Sequence, residues 1–308
     1  MRMTLIIAAA SVAALLPAGH AQGQANRTFV SGHGADTNAC SLSAPCRSFA
    51  QALSQTNAGG EITVLDSAGY GTLTINKSIT ITNPGGVEAG ITTTAGQTAI
   101  QINAGTSIID VTLRGLTLQG ASGSANGSNW ASGGGTLNVL DCVVKDFGGT
   151  GIAISPTNGS PNLNVTISNA TALHNTDGII INPQVPSAHV NYSISSTITN
   201  VNADSGILVT GGLASGSMSS IHSEMNSNGL SFDPTNVESI TINNSIFRNN
   251  STDILDGNTA IASTIYLYDA NTITFLSTPG GGQQIKSDGT NNIISISGGG
   301  SLTKVSPQ

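Results

Sequence analysis

The amino-acid sequence predicts an all-β solenoid, a parallel β-helix built from short strands that repeat about every 25 residues. The first observation is an Asn-rich turn that recurs in four segments, each closed by an apolar residue. These closing residues are spaced 28, 23 and 24 positions apart: Ile179, Ile207, Leu230 and Ile254. Periods in this range are typical of solenoids, in which one repeat buries its apolar face only when neighbouring repeats stack on it.

The second observation is a register of apolar residues within the strands that precede these turns. Their spacing is 28, 27, 24, 24 and 23 residues: Val139, Ile167, Ile194, Met218, Ile242 and Ile265. Polar and apolar residues alternate around them, which is the period of a strand and not of a helix. We therefore expect these side chains to point inward and to stack from coil to coil. The recurring turn asparagines should form a ladder of amide hydrogen bonds: Asn175, Asn202, Asn226 and Asn250.

The composition fits a thin core. Only 8% of the 308 residues are charged and 4% are aromatic, whereas about 25% of the residues in an average globular protein are charged. Each coil of a solenoid encloses few side chains, so large residues are not needed. The formal net charge is -7, with nine Lys and Arg residues scattered along the chain. Phosphate binding needs clustered basic residues, so no nucleic-acid partner is expected.

The N-terminus has the pattern of a signal peptide over residues 1–21. Arg2 provides a positive start, residues 5–16 are apolar, and Gly19 and Ala21 provide the small residues before a cleavage site. The apolar run is too short to span a bilayer, although a retained membrane anchor is the alternative interpretation. The mature protein is expected to be secreted, extracellular or periplasmic, without membrane contact.

The three cysteines fit an oxidising compartment. Cys40 and Cys46 bracket a short loop and are predicted to form a disulfide. Cys142 lies in a strand pattern and is predicted to be free and buried. A catalytic thiol is the alternative, but only Lys145 lies near it in sequence to lower its pKa.

The chain is predicted to divide into four parts. Residues 22–60 form a first strand, the disulfide loop and a short capping helix that covers the open end of the solenoid. This helix begins at Ser48, which has capping-box spacing to Gln51, and ends in the Gly-containing segment 57–60. Residues 61–297 form the β-helix and residues 298–308 a loose tail. Residues 120–135, rich in Gly and Ser and containing Trp130, are predicted to protrude as a loop.

Several N-terminal segments resemble a known protein family. Residues 29–32, Asp36, Asn38, residues 44–49, 52–53 and 60–65 look like the N-terminal cap and first coil of secreted bacterial right-handed β-helix proteins of the pectin-lyase-like superfamily. The resemblance implies a right-handed parallel β-helix over essentially the whole mature chain. The superfamily includes polysaccharide lyases, polygalacturonases, phage tailspikes and adhesins, so the resemblance does not fix the function.

One segment carries a motif with known chemistry. Residues 175–178, Asn-Thr-Asp-Gly, match the NTDG motif of the polygalacturonase family, in which the aspartate is catalytic. The rest of that family's pattern is missing, because no adjacent Asp pair follows and the Gly-His-Gly at residues 32–34 precedes the cap. Asn, Asp and Gly are also ordinary turn residues, and turn chemistry alone explains the segment.

Asp177, Asp204 and His174 are the candidate site residues. Aligned repeats place Asp177 and Asp204 on adjacent coils, although a one-residue insertion before Ser205 leaves their register open. Such a pair can hold a cation, raise the pKa of one carboxyl, or consist of solvated turn residues. No cofactor or metal is predicted: paired carboxylates could hold a calcium ion, but nothing else in the sequence indicates one. Calcium-dependent elimination also needs a base, and Arg248 is the only Lys or Arg in residues 150–258.

Two functions remain open at this point, and the missing acid-base partners favour the first of them. The first is a β-helix protein that presents a lateral surface to polysaccharide, cell-surface glycan or another surface ligand, without catalysis. The second is a polysaccharide lyase or glycoside hydrolase. A groove that holds Asp177 with a second acid and a base would favour the enzyme, whereas a flat Ser, Thr and Asn surface would favour binding.

Overall fold

The computed structural model describes residues 24–157, 162–185, 187–234, 239–257, 264–269, 271–278, 284–298 and 301–304. The predicted signal peptide, residues 1–21, lies outside them and stays a prediction. Within these ranges no helix is long and apolar enough to cross a membrane.

The elements follow one another along the chain as short strands with a single helix in the described residues. They are β1 Ala25–Val30, α1 Phe49–Gln55, β2 Thr56–Val64, β3 Ala68–Gly69, β4 Leu73–Ile75, β5 Ile79–Thr82, β6 Ala89–Thr92, β7 Ile100–Arg114, β8 Leu116–Gln119, β9 Ser128–Leu140, β10 Val143–Lys145, β11 Thr150–Ile154, β12 Leu163–Ser168, β13 Thr171–Leu173 and β14 Asp177–Ile181. There follow β15 His189–Ser195, β16 Ile198–Asn200, β17 Ser205–Gly211, β18 Leu213–Ser219, β19 His222–Glu224, β20 Asn228–Pro234, β21 Ser239–Asn243, β22 Ile246–Arg248, β23 Thr252–Asp256, β24 Thr264–Tyr268, β25 Thr272–Thr278, β26 Gln284–Ser287, β27 Asn292–Gly298 and β28 Ser301–Lys304.

The strands stack into three lateral faces in which each strand pairs in parallel with strands of the neighbouring coils. The first face contains β2, β5, β12, β15, β18, β21, β24, β26 and β28. The second contains β3, β6, β8, β10, β13, β16, β19 and β22. The third contains β4, β11, β14, β17, β20 and β23. Strands β7 and β9 are longer, and each contributes its first part to the third face and its last part to the first face. The parallel β-helix predicted from the repeat period is confirmed.

The predicted apolar register is confirmed over five coils. In successive strands of the first face the pairs are Val139 with Ile167, Ile167 with Ile194, Ile194 with Met218, and Met218 with Ile242, all of them buried. The last step was wrong, because Ile242 pairs with Leu267 and Ile265 pairs with Ile240. The observed register is offset by two residues from the predicted one. Because side chains alternate with a period of two, Ile265 and Leu267 both point inward and are buried.

The predicted asparagine ladder is also confirmed. It consists of Asn175, Asn202, Asn226 and Asn250. The Nδ2 atom of each asparagine donates to Oδ1 of the asparagine on the next coil, over 3.2, 3.0 and 3.1 Å. The same Oδ1 atoms also accept from the backbone N–H of the asparagine on the preceding coil. The ladder ends at Asp253, whose Oδ1 accepts from Asn250 Nδ2 over 2.9 Å. Repeated asparagine is thus explained by satisfied hydrogen bonds inside a turn.

The residue before each ladder asparagine occupies the left-handed region, with φ between 56° and 57°: His174, Val201, Met225 and Asn249. This conformation turns the chain sharply between the second and third faces. It is unfavourable for a β-branched side chain and tolerable for asparagine. Val201 is therefore the strained member of this corner.

We expect Val201→Asn to stabilise the fold by about 1 kcal/mol, because asparagine adopts the left-handed conformation more readily. Val201 is 40% exposed, so the substitution leaves the core intact. Urea denaturation measures the change in the free energy of unfolding. Ile198→Asn is the control, since Ile198 is 39% exposed but lies within a strand. Equal effects of the two substitutions would contradict the argument.

The N-terminal cap confirms the helix and the disulfide. Ser48 caps α1 by accepting from the backbone N–H of Gln51 over 3.2 Å, and Cys40 is bonded to Cys46. The reciprocal half of the predicted capping box comes from Asp36, whose Oδ1 accepts from the Ser48 N–H over 2.9 Å. The predicted helix end at residues 57–60 was wrong, since α1 ends at Gln55 and those residues belong to β2. The β-helix sheet thus begins before residue 61.

The middle and the end of the chain bring two further corrections. Trp130 does not lie in a protruding loop: it belongs to β9 and is fully buried, and its Nε1 donates to the carbonyl oxygen of Gly133 over 2.9 Å. Residues 301–304 of the predicted loose tail form β28, which pairs with β26. Cys142 is free and buried as predicted, and burial raises its pKa to about 11.

Candidate functional site

Asp177 and Asp204 lie on neighbouring coils but not at the same level. Ile179 pairs with Ile207, which places Asp177 opposite Ser205. The Asp177 Oδ1 atom accepts from the Ser205 N–H over 3.1 Å, and the Asp204 N–H donates to the Thr176 carbonyl over 2.8 Å. The insertion before Ser205 shifts Asp204 by one residue, so the two carboxylates are diagonal neighbours.

The environments of these two carboxylates differ. Asp177 is 8% exposed, and its burial raises its pKa. The hydrogen bond from Ser205 acts in the opposite direction, and the charge of Asp204 adds to the increase. Asp204 is exposed, and its Oδ1 accepts from Asn228 Nδ2 over 3.4 Å. The corner therefore combines one buried carboxyl with one solvated carboxylate.

His174 has a different acidic partner. Its Nδ1 atom lies 3.6 Å from Oδ1 of Asp146, which precedes the equivalent corner of the preceding coil. Among the described residues no group of three His, Cys, Asp or Glu side chains is arranged to hold a metal ion. The predicted site is thus a corner with two acids on neighbouring coils, and its histidine contacts the equivalent residue of the preceding coil, Asp146.

The raised pKa of Asp177 gives a pH-dependent prediction. A folded-state pKa above the unfolded value means that wild-type stability falls as the pH rises through the folded pKa. Asp177→Asn removes this loss and keeps an acceptor for Ser205, so it should stabilise the protein at neutral pH by about 0.5 kcal/mol. The difference should vanish below the unfolded pKa. Denaturation curves from pH 3 to 8 for both proteins measure the gain in free energy of unfolding that the substitution gives. A gain that is smaller at pH 7 than at pH 3 would contradict the prediction.

The second face carries an ionic cluster that the sequence analysis did not identify. Glu224 Oε1 is the shared partner of His222 Nε2 and of Arg248 Nε. His222 and Glu224 lie two residues apart on the outward side of β19, and Arg248 pairs in register with Glu224 from the next coil. The backbone N–H of Glu224 donates to Asn200 Oδ1 over 2.9 Å. We call Glu224, His222 and Arg248 the ionic cluster.

Charge balance in the ionic cluster favours an ionised glutamate. His222 and Arg248 lower the pKa of Glu224 against the opposing effect of burial. The side chains of His222 and Arg248 are 39% and 50% exposed and cover the carboxylate. Both side chains can therefore reach a ligand while Glu224 holds them in place. The spacing of 24 residues between Glu224 and Arg248, one repeat, was the sequence signal that could have located the cluster.

The outward side of the first face is a continuous polar surface. On β12, β15, β18 and β21 it presents a run of outward Ser, Thr and Asn side chains: Asn164, Thr166, Ser168, Asn191, Ser193, Ser195, Ser215, Ser217, Ser219, Thr241 and Asn243. At one end this run is bordered by the outward residues His189 and Leu213, which pair with each other at the start of β15 and β18. Some of these side chains are linked across coils, as between Asn191 Nδ2 and Asn164 Oδ1 over 3.3 Å. We call this surface the polar lane.

Comparison with known proteins shows similarity in structure only. No family model and no curated protein matches the sequence. The pectate lyase Pel9A is 15% identical, with 92% of this chain and 80% of that chain covered at a TM-score of 0.62. XylC in complex with xylose is 9% identical, with 87% and 69% covered at 0.59.

The GH136 lacto-N-biosidase from Eubacterium ramulus is 10% identical, with 91% of this chain and 68% of that chain covered at 0.52. Identities this low establish a shared fold and not a shared activity. The chain therefore shares the parallel β-helix fold of these proteins.

Proposed function

We propose that this protein binds a polysaccharide or cell-surface glycan along a lateral surface of its β-helix. The observation that carries the proposal is the polar lane. Its hydroxyl and amide groups recur from coil to coil at the strand spacing of about 4.8 Å. A polymer of sugar units also offers hydroxyl groups at regular intervals, so one polymer can make the same hydrogen bonds on several coils. The similar solved structures include a pectate lyase and a complex with xylose, which agrees with a carbohydrate-related role.

Retardation in native gels that contain a polysaccharide tests the proposal. We expect the mature protein to be retarded in native gels that contain at least one polysaccharide of a panel of neutral and acidic polymers. Ser217→Glu, on an exposed position of the polar lane, should weaken this retention about tenfold, because a charge disrupts the neutral hydrogen-bonding surface. Ser227→Glu is the matched control, since Ser227 is exposed at a corner outside the polar lane. Equal losses for both variants would contradict binding by this surface.

A second candidate function is cleavage of a polysaccharide, and the ionic cluster is the observation that favours it. An imidazole can transfer protons near neutral pH, and a guanidinium can bind a carboxylate of the substrate. Glu224 would orient both groups. Hydrolysis by the common route needs a second carboxyl group opposite the first, which makes elimination the better match for this cluster.

An activity screen separates cleavage from binding. It follows unsaturated products by absorbance and reducing ends in parallel, with and without calcium. Activity that is lost in Glu224→Gln but kept in Asp177→Ala and Asp204→Ala would locate the chemistry at the ionic cluster. The reverse pattern would locate it at the Asn-rich corner. Retention without product in the wild type would support binding alone.

A further inference from the structure

On the coil after β21, the first face carries a group of side chains unlike those of the polar lane. In β24 the inward residues are Ile265 and Leu267, and the outward residues are Tyr266 and Tyr268. The two rings are nearly parallel, with 15° between their planes and 6.1 Å between their centroids. Lys286, on the next coil, pairs in register with Tyr266.

Lys286 contacts one of the two rings. Its Nζ atom lies 5.1 Å from the centroid of Tyr266 and donates to the Tyr266 hydroxyl over 3.4 Å. On the preceding coil Thr241 pairs with Tyr266, and Asn243 with Tyr268. Two aromatic rings are thus flanked by an ammonium on one side and by a hydroxyl and an amide on the other. We call these five residues the tyrosine patch.

The location of these rings is unusual for this chain. Most of its other described aromatic side chains are buried in the solenoid: Phe49, Tyr70, Trp130, Phe147, Tyr192, Phe232 and Phe247. Tyr266 and Tyr268 are instead partly exposed on a polar surface. Large aromatic rings gain most free energy when buried, so a pair kept on an outer surface is an observation that needs a cause.

We propose that the tyrosine patch is a subsite that binds the ring face of a pyranose unit in the glycan, an inference that rests on the proposed function. The C–H groups of a pyranose face pack on an aromatic ring, and both rings are partly exposed, so such a face can contact them from the outer side of the sheet. Thr241, Asn243 and Lys286 supply donors and an acceptor for the surrounding hydroxyl groups.

The surroundings select a glycan over other partners. The outward neighbours on the preceding coils are Ser, Thr and Asn, so the rings do not belong to an apolar surface of the kind that docks a protein. The polar lane continues directly from Thr241 and Asn243 across three further coils. A sugar held at the tyrosine patch therefore leads the rest of its chain onto the polar lane.

Paired substitutions test the tyrosine patch with the full mature chain. The ligand is the polysaccharide that retards the wild type most strongly, and affinity electrophoresis gives the dissociation constants. The double variant Tyr266→Ala, Tyr268→Ala should bind at least about tenfold more weakly. The double variant with Phe at both positions keeps the rings and should stay within about threefold of wild type. Ile198→Ala, which removes an exposed apolar side chain from the second face, is the control. Unchanged far-UV circular dichroism and Tm confirm that each variant is folded.

Each outcome bears on the subsite. If the wild type binds a polymer and the alanine pair binds it equally well, the subsite is wrong while the proposed function stands. If no polysaccharide retards the wild type, both are wrong. Light scattering after size exclusion identifies the remaining case: if the alanine pair converts a dimer to a monomer without changing glycan affinity, the tyrosine patch is a surface for a second copy and the inference fails.

Discussion

Replacing Asn202 by alanine should lower the free energy of unfolding by about 3 kcal/mol, because the substitution leaves buried polar groups without partners. The Asn202 side chain makes four hydrogen bonds. Its Oδ1 accepts from the backbone and the side-chain nitrogen of Asn175, and its Nδ2 donates to the Ala172 carbonyl and to Asn226 Oδ1. Ladder positions on both neighbouring coils lose a partner at once. Urea denaturation gives the magnitude, and the loss should appear as a lower midpoint with a similar slope.

The control for this prediction is Asn191→Ala. Asn191 lies on the polar lane, is partly exposed, and its amide donates to Asn164 Oδ1 over 3.3 Å. Water can replace that bond, so we expect a change within about 0.5 kcal/mol. A similar loss in both variants would show that the buried ladder is not a special source of stability.

Gly135→Ala should destabilise the protein by more than about 4 kcal/mol, enough to prevent folding. Gly135 has φ 117°, a region almost restricted to glycine, and an added Cβ atom would lie 2.0 Å from the Ile109 carbonyl oxygen. Ile109 and Gly135 are paired residues of β7 and β9, so neither backbone can move without breaking the sheet at this point. Soluble expression and circular dichroism report the outcome.

Gly59→Ala separates the steric clash from the backbone conformation. Gly59 has φ 78°, and a Cβ atom added there would meet no atom of a non-adjacent residue within 4 Å. We expect this variant to fold with a loss of about 1 kcal/mol from the left-handed conformation alone. If Gly135→Ala is as stable as Gly59→Ala, the predicted clash between a Cβ atom at residue 135 and the backbone of β7 does not occur.

The sequence by itself determined the architecture because the solenoid is encoded locally. A strand has a side-chain period of two, so alternation settles which residues face inward. The repeat length then decides which residues stack, as Val139, Ile167 and Ile194 do. The asparagine ladder followed in the same way, because identical turns on successive coils bring identical side chains together.

Only the tertiary structure decided the exact partners where repeat lengths change. An insertion before Ser205 moves Asp204 out of line with Asp177, and an offset of two residues pairs Ile242 with Leu267. Trp130 was misplaced because its Gly- and Ser-rich surroundings are typical of loops, whereas their small size lets β7 and β9 pack closely. Here tertiary packing outweighed local composition.

The candidate sites also differ in whether the sequence alone could locate them. The sequence identified Asp177 because a motif is contiguous, but it did not single out Glu224 with Arg248, which come together only when β22 stacks on β19. Tyr266 and Lys286 meet in the same way from adjacent coils. A solenoid builds its lateral surface from residues one repeat apart. Local patterns therefore determine the fold, whereas the chemistry of the surface depends on the register between coils.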